Sequence, residues 1–326
     1  MADPAPASAS VSRTDWLSRL LDLVPVRGEL ELRCSFGAPW RVDEAPAPAG
    51  EMPYHVVLAG TALLDDAAGG APRQLGPGDI LLLPGGGAHR LHDGSGAAPS
   101  PVRKHRGAAV ILQENTGSGA RFDMLCGRFV LAPMHDRLLR GYLPPRLVVP
   151  AAADPASATA TQVAGLVALL RGESVSDSLG ARAMLNALST ALFALVLRRA
   201  SETDAAPDGL LALAGHPRLA PALGAMFADP VHPWTLEALA ALCNMSRATA
   251  ARQFDQHLGR SAADLLADIR MTVAAAELAK PHVSTGAAAD AAGYQSEAAF
   301  QRAFKTRMGL TPAQWRRQAM GGGEDR

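Results

Sequence analysis

Cysteine is scarce: the 326 residues carry three, Cys34, Cys126 and Cys243, with no CxxC pair. That excludes a disulfide framework and a four-cysteine zinc site, and it fits a reducing, cytoplasmic setting. Net charge is absent as well, since 31 Lys and Arg balance 31 Asp and Glu. No global positive field attracts nucleic acid, so any such binding must come from local placement of Arg and Lys. Long apolar runs are missing too. The longest, Ala183 to Leu197, is broken by Asn186, Ser189 and Thr190; it is too short to span a bilayer and reads as a buried or interfacial helix, with no membrane partner expected. Residues 1–14 open without a basic n-region or an apolar h-region and read as a flexible lead-in, not a signal peptide. What remains is ordinary globular material, 48% apolar, in a chain long enough for two domains.

The texture changes twice along the chain. Asp15 to Val24 has a helical period in Trp16, Leu17, Leu20, Leu21 and Val24. From Gly28, the segments Glu29–Cys34, Tyr54–Leu58, Thr61–Leu64, Ile80–Leu83 and Phe122–Leu131 alternate with Gly, Pro and Asp clusters, the pattern of a small β-barrel or sandwich. Gly94 to Arg106 reads as a loop between strands. After Pro150 the strand signals vanish. Ala160–Arg171 and Ser176–Arg199 read as helices, the second with a stripe of Leu185, Leu188, Leu192 and Leu195 that suits a homodimer interface. The expected organisation is a β-rich domain at 15–150, a helical dimerisation or interface segment at 151–200, a linker at 201–209, a helical domain at 210–318 and a flexible tail at 319–326.

The helical domain repeats itself. At an offset of 50 residues Ser246 aligns with Ser296, Phe254 with Phe304, Gly259 with Gly309, Ser261 with Thr311 and Ala241 with Ala291. In each copy a short Ala-rich helix (Leu236–Leu242; Gly286–Ala292) leads through a turn to a Ser that can cap a second helix (Arg247–His257; Glu297–Arg307). Ala240 and Ala241, like Ala288 and Ala291, permit a close corner, and Gly293 supplies the turn where the first copy has Cys243. This is a helix-turn-helix occurring twice, joined by a helix over Ala262–Ala279. In the second copy Ala299, Phe300, Ala303 and Phe304 form the packing face, leaving Glu297, Gln301, Arg302 and Lys305, beside the cap Ser296, for double-stranded DNA. The first copy offers Arg247, Thr249, Arg252, Gln253 and Gln256. Arg suits guanine, Gln adenine and Glu the cytosine amino group, while Lys305 and Arg307 suit phosphates. Two recognition helices about 34 Å apart would enter successive major grooves.

Over Leu210–Gln318 the chain resembles the AraC/XylS family of transcription regulators, through Leu239-Ala240, Met245-Ser246-Arg247, Phe254, Gly259, Gly293-Tyr294-Gln295-Ser296, Phe300, Phe304-Lys305, Gly309, Thr311-Pro312 and Trp315-Arg316. The resemblance implies activation by contact with RNA polymerase. Ahead of it, Gly78, Pro84, Gly86 and His89 match the second cupin motif, which implies a small β-barrel with His89 turned inward. The first motif of metal-binding cupins is incomplete: His55 stands alone and Pro53 replaces the Glu, so no metal or other cofactor is expected. The overall order is similar to cupin-bearing AraC-type regulators that include activators responding to reactive chlorine oxidants, in which Cys34 and Cys126 correspond to sensing cysteines. A thiol beside Arg33 or Arg128 could be activated and oxidised. Two sensing readings therefore stand open, an oxidant at Cys34 and Cys126 or a small molecule near His55, His89 and His92, beside the plainer one that these are buried or barrel-lining residues. The expected protein is a two-domain α+β regulator, an N-terminal cupin-like β-barrel with a helical segment followed by an all-α double helix-turn-helix, and not an enzyme. The alternative is a metal-dependent cupin enzyme with an accessory DNA-binding domain.

Overall fold

The computed structural model describes residues 15–132, 136–151, 157–203 and 207–321. Two compact units emerge, Leu21–Gly215 and a second that joins the described residues up to Leu20 to His216 onward. The division falls between Gly215 and His216, later than the expected linker at 201–209, of which 204–206 lie outside the described residues. The first helix, α1 (Trp16–Leu23), sends Trp16 against Phe227, so its start packs within the second unit and not the β-rich one.

In the β-rich unit, seven strands lie in the order β11 (Leu147–Val149), β6 (Ile80–Leu82), β3 (Glu51–Ala59), β10 (Arg121–Val130), β1 (Arg27–Gly37), β9 (Ile111–Asn115) and β8 (Val102–Arg106). A second sheet has the order β2 (Arg41–Glu44), β7 (His89–His92), β4 (Ala62–Leu64) and β5 (Arg73–Leu75). A buried cluster including Cys34, Phe36, Trp40, Val57, Leu64, Leu81, Leu91, Phe122, Met124 and Cys126 forms its core. Trp40 stacks on Phe122 with ring centroids 4.3 Å apart. The expected loop over Gly94–Arg106 is corrected at its end, because Val102–Arg106 is an exposed strand paired antiparallel with β9.

β3 and β10 are apolar on both faces because a helix covers the sheet. That helix, α4 (Ala181–Ser201), packs along β1, with α3 (Ala158–Glu173) beside it. Gly28 makes the approach feasible: a Cβ there would collide with the backbone of Ser189 and Thr190. The Gly28 N–H donates to Thr190 Oγ1 at 2.8 Å, Tyr54 and Ser189 hydroxyls meet at 2.6 Å, and Phe129 lies 4.8 Å from Phe193. The stripe expected to form a dimer is thus used within the chain: Leu185 and Leu192 are buried, with Leu188 and Leu195 half-buried. The helix is three residues shorter than expected, starting at Ala181 instead of Ser176 and ending at Ser201. At 21 residues it is long and apolar enough, by length and composition, to cross a membrane; here it lies against a β-sheet.

The second unit is helical: α6 (Ala220–Ala228), α7 (Leu236–Leu242), α8 (Arg247–Leu258), α9 (Ala262–Ala279), α10 (Thr285–Ala291), α11 (Glu297–Met308) and α12 (Pro312–Gly321). Residues 319–321, expected in a flexible tail, are helical, and 322–326 lie outside the described residues, as do 1–14. Hydroxyl caps set the starts. Thr235, Ser246, Ser261, Ser284 and Ser296 each accept from the N–H three residues on. α5 (Leu210–Gly215) belongs to the β-rich unit, not to the helical domain in which it was expected.

Candidate nucleic-acid interface and sensor site

Both copies of the repeat build the same corner with one difference. Their first helices stand 49 residues apart and their second helices 50, so the second turn is one residue longer. The structural equivalents are therefore Ala240 and Ala289, both buried, whose carbonyls accept from Met245 and Tyr294; Ala241 is exposed and Ala291 half-buried, which corrects their expected role in the corner. The left-handed position is taken by Gly293 (φ 74) in one copy and by Asn244 (φ 49) in the other, so Asn244, not Cys243, is the counterpart of Gly293. Cys243 caps α7, is buried, and its thiol is pushed up by that burial.

Ala250 and Phe254, like Phe300 and Phe304, bury the inner faces of α8 and α11. On the outer faces Arg247, Arg252, Ser296, Glu297, Gln301, Arg302 and Lys305 are exposed, and Thr249 and Gln253 half-buried. Arg252, Arg302 and Lys305 enter no ion pair among the described residues, whereas Arg247 pairs with Glu237 at 2.9 Å and Gln301 donates to Glu297 at 2.9 Å. Arg307 is corrected from a phosphate contact to a structural one: it holds Asp268, 2% exposed, at 2.9 Å and Asp264 at 3.0 Å, tying α11 to α9. Arg270, on α9, donates to the carbonyls of Pro230, Val231 and His232.

In the barrel the candidate sensor residues divide. Cys34 and Cys126 come together, Sγ to Sγ 3.8 Å, from adjacent antiparallel strands. They are diagonal neighbours, since Cys34 is opposite Met124 and Cys126 opposite Leu32, across a bulge between Leu30 and Leu32. Gln113 Oε1 lies 3.9 Å from Cys34 Sγ and can only accept there, so the Cys126 thiol donates to Cys34. That hydrogen bond, with burial, holds the Cys126 thiol well above its ordinary range. Activation by a neighbouring arginine is corrected. Arg33 is bound to Asp123 at 2.7 Å on the opposite face of β1, and Arg128 is held by Glu29 at 3.0 Å and Glu31 at 2.9 Å.

Cys126 lies directly across from His55 on β3. Beyond it, His55 Nε2 is 2.8 Å from His89 Nε2, and His55 Nδ1 is buried without a partner. His92 is apart from them, 3.0 Å from Asp65 near the surface. Among the described residues no group of three or more His, Cys, Asp or Glu side chains is gathered as a metal site.

Models of known families match both units: a cupin over residues 15–202 and a helix-turn-helix domain over residues 239–318. An HTH-type transcriptional regulator of Haemophilus influenzae is 32% identical over 305 residues, 93% of this chain and 98% of that protein. This chain belongs to the cupin-bearing AraC-type transcriptional regulators. The RCS-specific HTH-type transcriptional activator RclR of Escherichia coli, similar over 93% of this chain and 97% of its own length, is 28% identical to the regulator. A transcriptional regulator with an AraC-type DNA-binding domain from Chromobacterium violaceum has a solved structure that is 25% identical, with a TM-score of 0.31, over 33% of the regulator and 96% of that chain. The regulator is a two-domain α+β protein that binds DNA. Sequence reasoning missed Gln113, which orients the thiols, because β9 carries no strand signal that would place it there.

Proposed function

We propose that this regulator is a cytoplasmic activator that senses an oxidant through Cys34 and Cys126. It reads double-stranded DNA through Arg247, Thr249, Arg252, Gln253, Ser296, Glu297, Gln301, Arg302 and Lys305. The observation that carries the sensing is the 3.8 Å between the two sulfurs. With hypochlorous acid, one thiol takes the chlorine and water leaves; the second thiol then displaces chloride, and a disulfide and HCl result. The sulfurs must close to about 2.05 Å, and diagonal strand neighbours hold their Cβ atoms farther apart than a relaxed disulfide does. Oxidation therefore displaces β1 against β10 at the bulge, and that displacement is the signal. Because Cys126 is buried and held protonated, its thiolate is scarce. A weak electrophile such as hydrogen peroxide reacts slowly, and a chlorinating oxidant is the fitting input. The name of the Escherichia coli relative supports this reading.

Activation through RNA polymerase rests on the family resemblance, and the absence of enzymatic activity is supported by the regulator names of the relatives. A homodimer would have to form through residues other than the covered stripe of α4. A second reading, a small molecule in the barrel, is favoured by the orphan lone pair on His55 Nδ1, which would accept from a ligand donor. The deciding experiment is selection of binding sites from genomic DNA with reduced protein, repeated after brief hypochlorous acid or diamide treatment. Enrichment that shifts with oxidant in wild type but not in Cys34→Ser or Cys126→Ser is expected; enrichment indifferent to oxidant would sink the cysteine reading and leave the DNA binding intact.

A further inference from the structure

We propose that the cleft between α3, the chain after β11 and the edge of β3 is a binding site for an amphipathic monocarboxylate, an aromatic or medium-chain alkyl acid whose carboxylate pairs with Arg199. The cleft has a volume of about 240 Å³. Among the described residues that line it, Arg171 and Arg199 are charged and the remainder are apolar, with Leu58, Val149, Val163 and Val167 along its walls. Arg199 is 3% exposed, its Nη2 is sealed from solvent, and its side chain makes no hydrogen bond or ion pair among the described residues. Arg33 and Arg307, also drawn into the fold, are met by acids, Asp123 and the pair Asp264 and Asp268, and Arg270 by three carbonyls. Glu202, the acid next along from Arg199, accepts instead from the Thr159 hydroxyl at 2.9 Å.

A desolvated guanidinium with no counter-charge is unfavourable, and an anion arriving from solution relieves it. A guanidinium N–H donates to a carboxylate oxygen in a charge-assisted bond, which makes a carboxylate a matching head group. Apolar walls then select the body of the ligand. A dry cavity of about 150 Å³ holds benzene. A cleft of 240 Å³ therefore takes a ring system with its carboxylate or a medium-length alkyl chain. Arg171, the other charge on the wall, is exposed and already solvated, so the desolvated Arg199 sets a preference for a single acid. This site is separate from the cysteine pair and does not rest on oxidant sensing.

The test is calorimetric titration of the full-length protein with monomeric decanoate and with 2-naphthoate, using decanol as the uncharged control. It is run on wild type and on a Cys34→Ser/Cys126→Ser protein that cannot form the disulfide. Saturable binding of an acid at one per chain is expected in both, roughly ten- to a hundredfold tighter than decanol. Arg199→Met should remove that preference while retaining weak binding, because the cavity remains. Ala164→Trp, on the partly exposed wall, should block acid and alcohol alike without touching the core; it also serves if Arg199→Met does not fold. Equal affinity for acid and alcohol, acid binding undiminished in Arg199→Met or Ala164→Trp, or no binding at all would overturn the proposal. Loss of oxidant response in the double-serine protein would leave it standing.

Discussion

His55 and His89 lock one another into a single pair of tautomers. His89 Nδ1–H donates to the Gly87 carbonyl at 3.2 Å, so His89 Nε2 must accept from His55 Nε2–H at 2.8 Å. Burial, helped by the proximity of His89, pushes His55 down to about 3, and burial lowers His89 as well.

The sign of the pH effect follows. In the unfolded chain both rings take a proton near their ordinary value of 6.5, and in the fold both resist it, so the unfolded state binds more protons below that point. Stability should be complete above pH 6.5 and fall through the interval down to about 3, with a slope of at most about 1.4 kcal/mol per pH unit for each ring. Urea unfolding at neutral and mildly acidic pH measures this. His55→Phe should flatten the slope, and an unchanged slope would refute the assignment.

Two cations two residues apart on α11 should behave oppositely. Lys305→Ala is expected to leave unfolding free energy within about 0.5 kcal/mol of wild type and to lower the salt dependence of DNA affinity by about one unit of slope. Arg307→Ala strips a partner from the buried Asp268, which retains Arg260 at 3.6 Å, and should cost about 3 kcal/mol in denaturant unfolding.

Arg302→Ala should relax preference at one base position in the selected site, by about 1–3 kcal/mol against the mismatched bases. A uniform loss across all sequences would assign Arg302 to the phosphates instead.

The two corner residues make a matched pair of backbone tests. At Gly293 a Cβ would sit 2.9 Å from the Val231 carbonyl oxygen as well as in left-handed backbone, so Gly293→Ala should destabilise by more than about 1 kcal/mol. Asn244→Gly, at φ 49, should be close to neutral in the same thermal unfolding assay.

The helical unit was legible because its information is local. Ser246 and Ser296 cap the helices they precede, and Ala262–Ala279 holds the bounds expected from its pattern. The one-residue mismatch between copies is masked in the sequence because Ala241 and Ala291 align at the wider offset. In the barrel, β8 could not be read: all its residues are exposed, so no alternation marks it. The meeting of Cys34 with Cys126 depends on strand register and a bulge, and the Arg307 ion pairs on how α11 crosses α9; neither is written in local pattern. Arg199 carries no sequence signal of its own, since only the packing around the end of α4 buries it.

Gly28 has one further consequence. By letting α4 rest on the backbone of β1, it joins in one rigid contact the strand that carries Cys34 and the helix that ends beside Arg199. Binding free energies of two sites on one scaffold are reciprocal. If both proposals hold, whatever factor an occupied cleft applies to the reducibility of the cysteine pair, the disulfide applies to the affinity of the cleft.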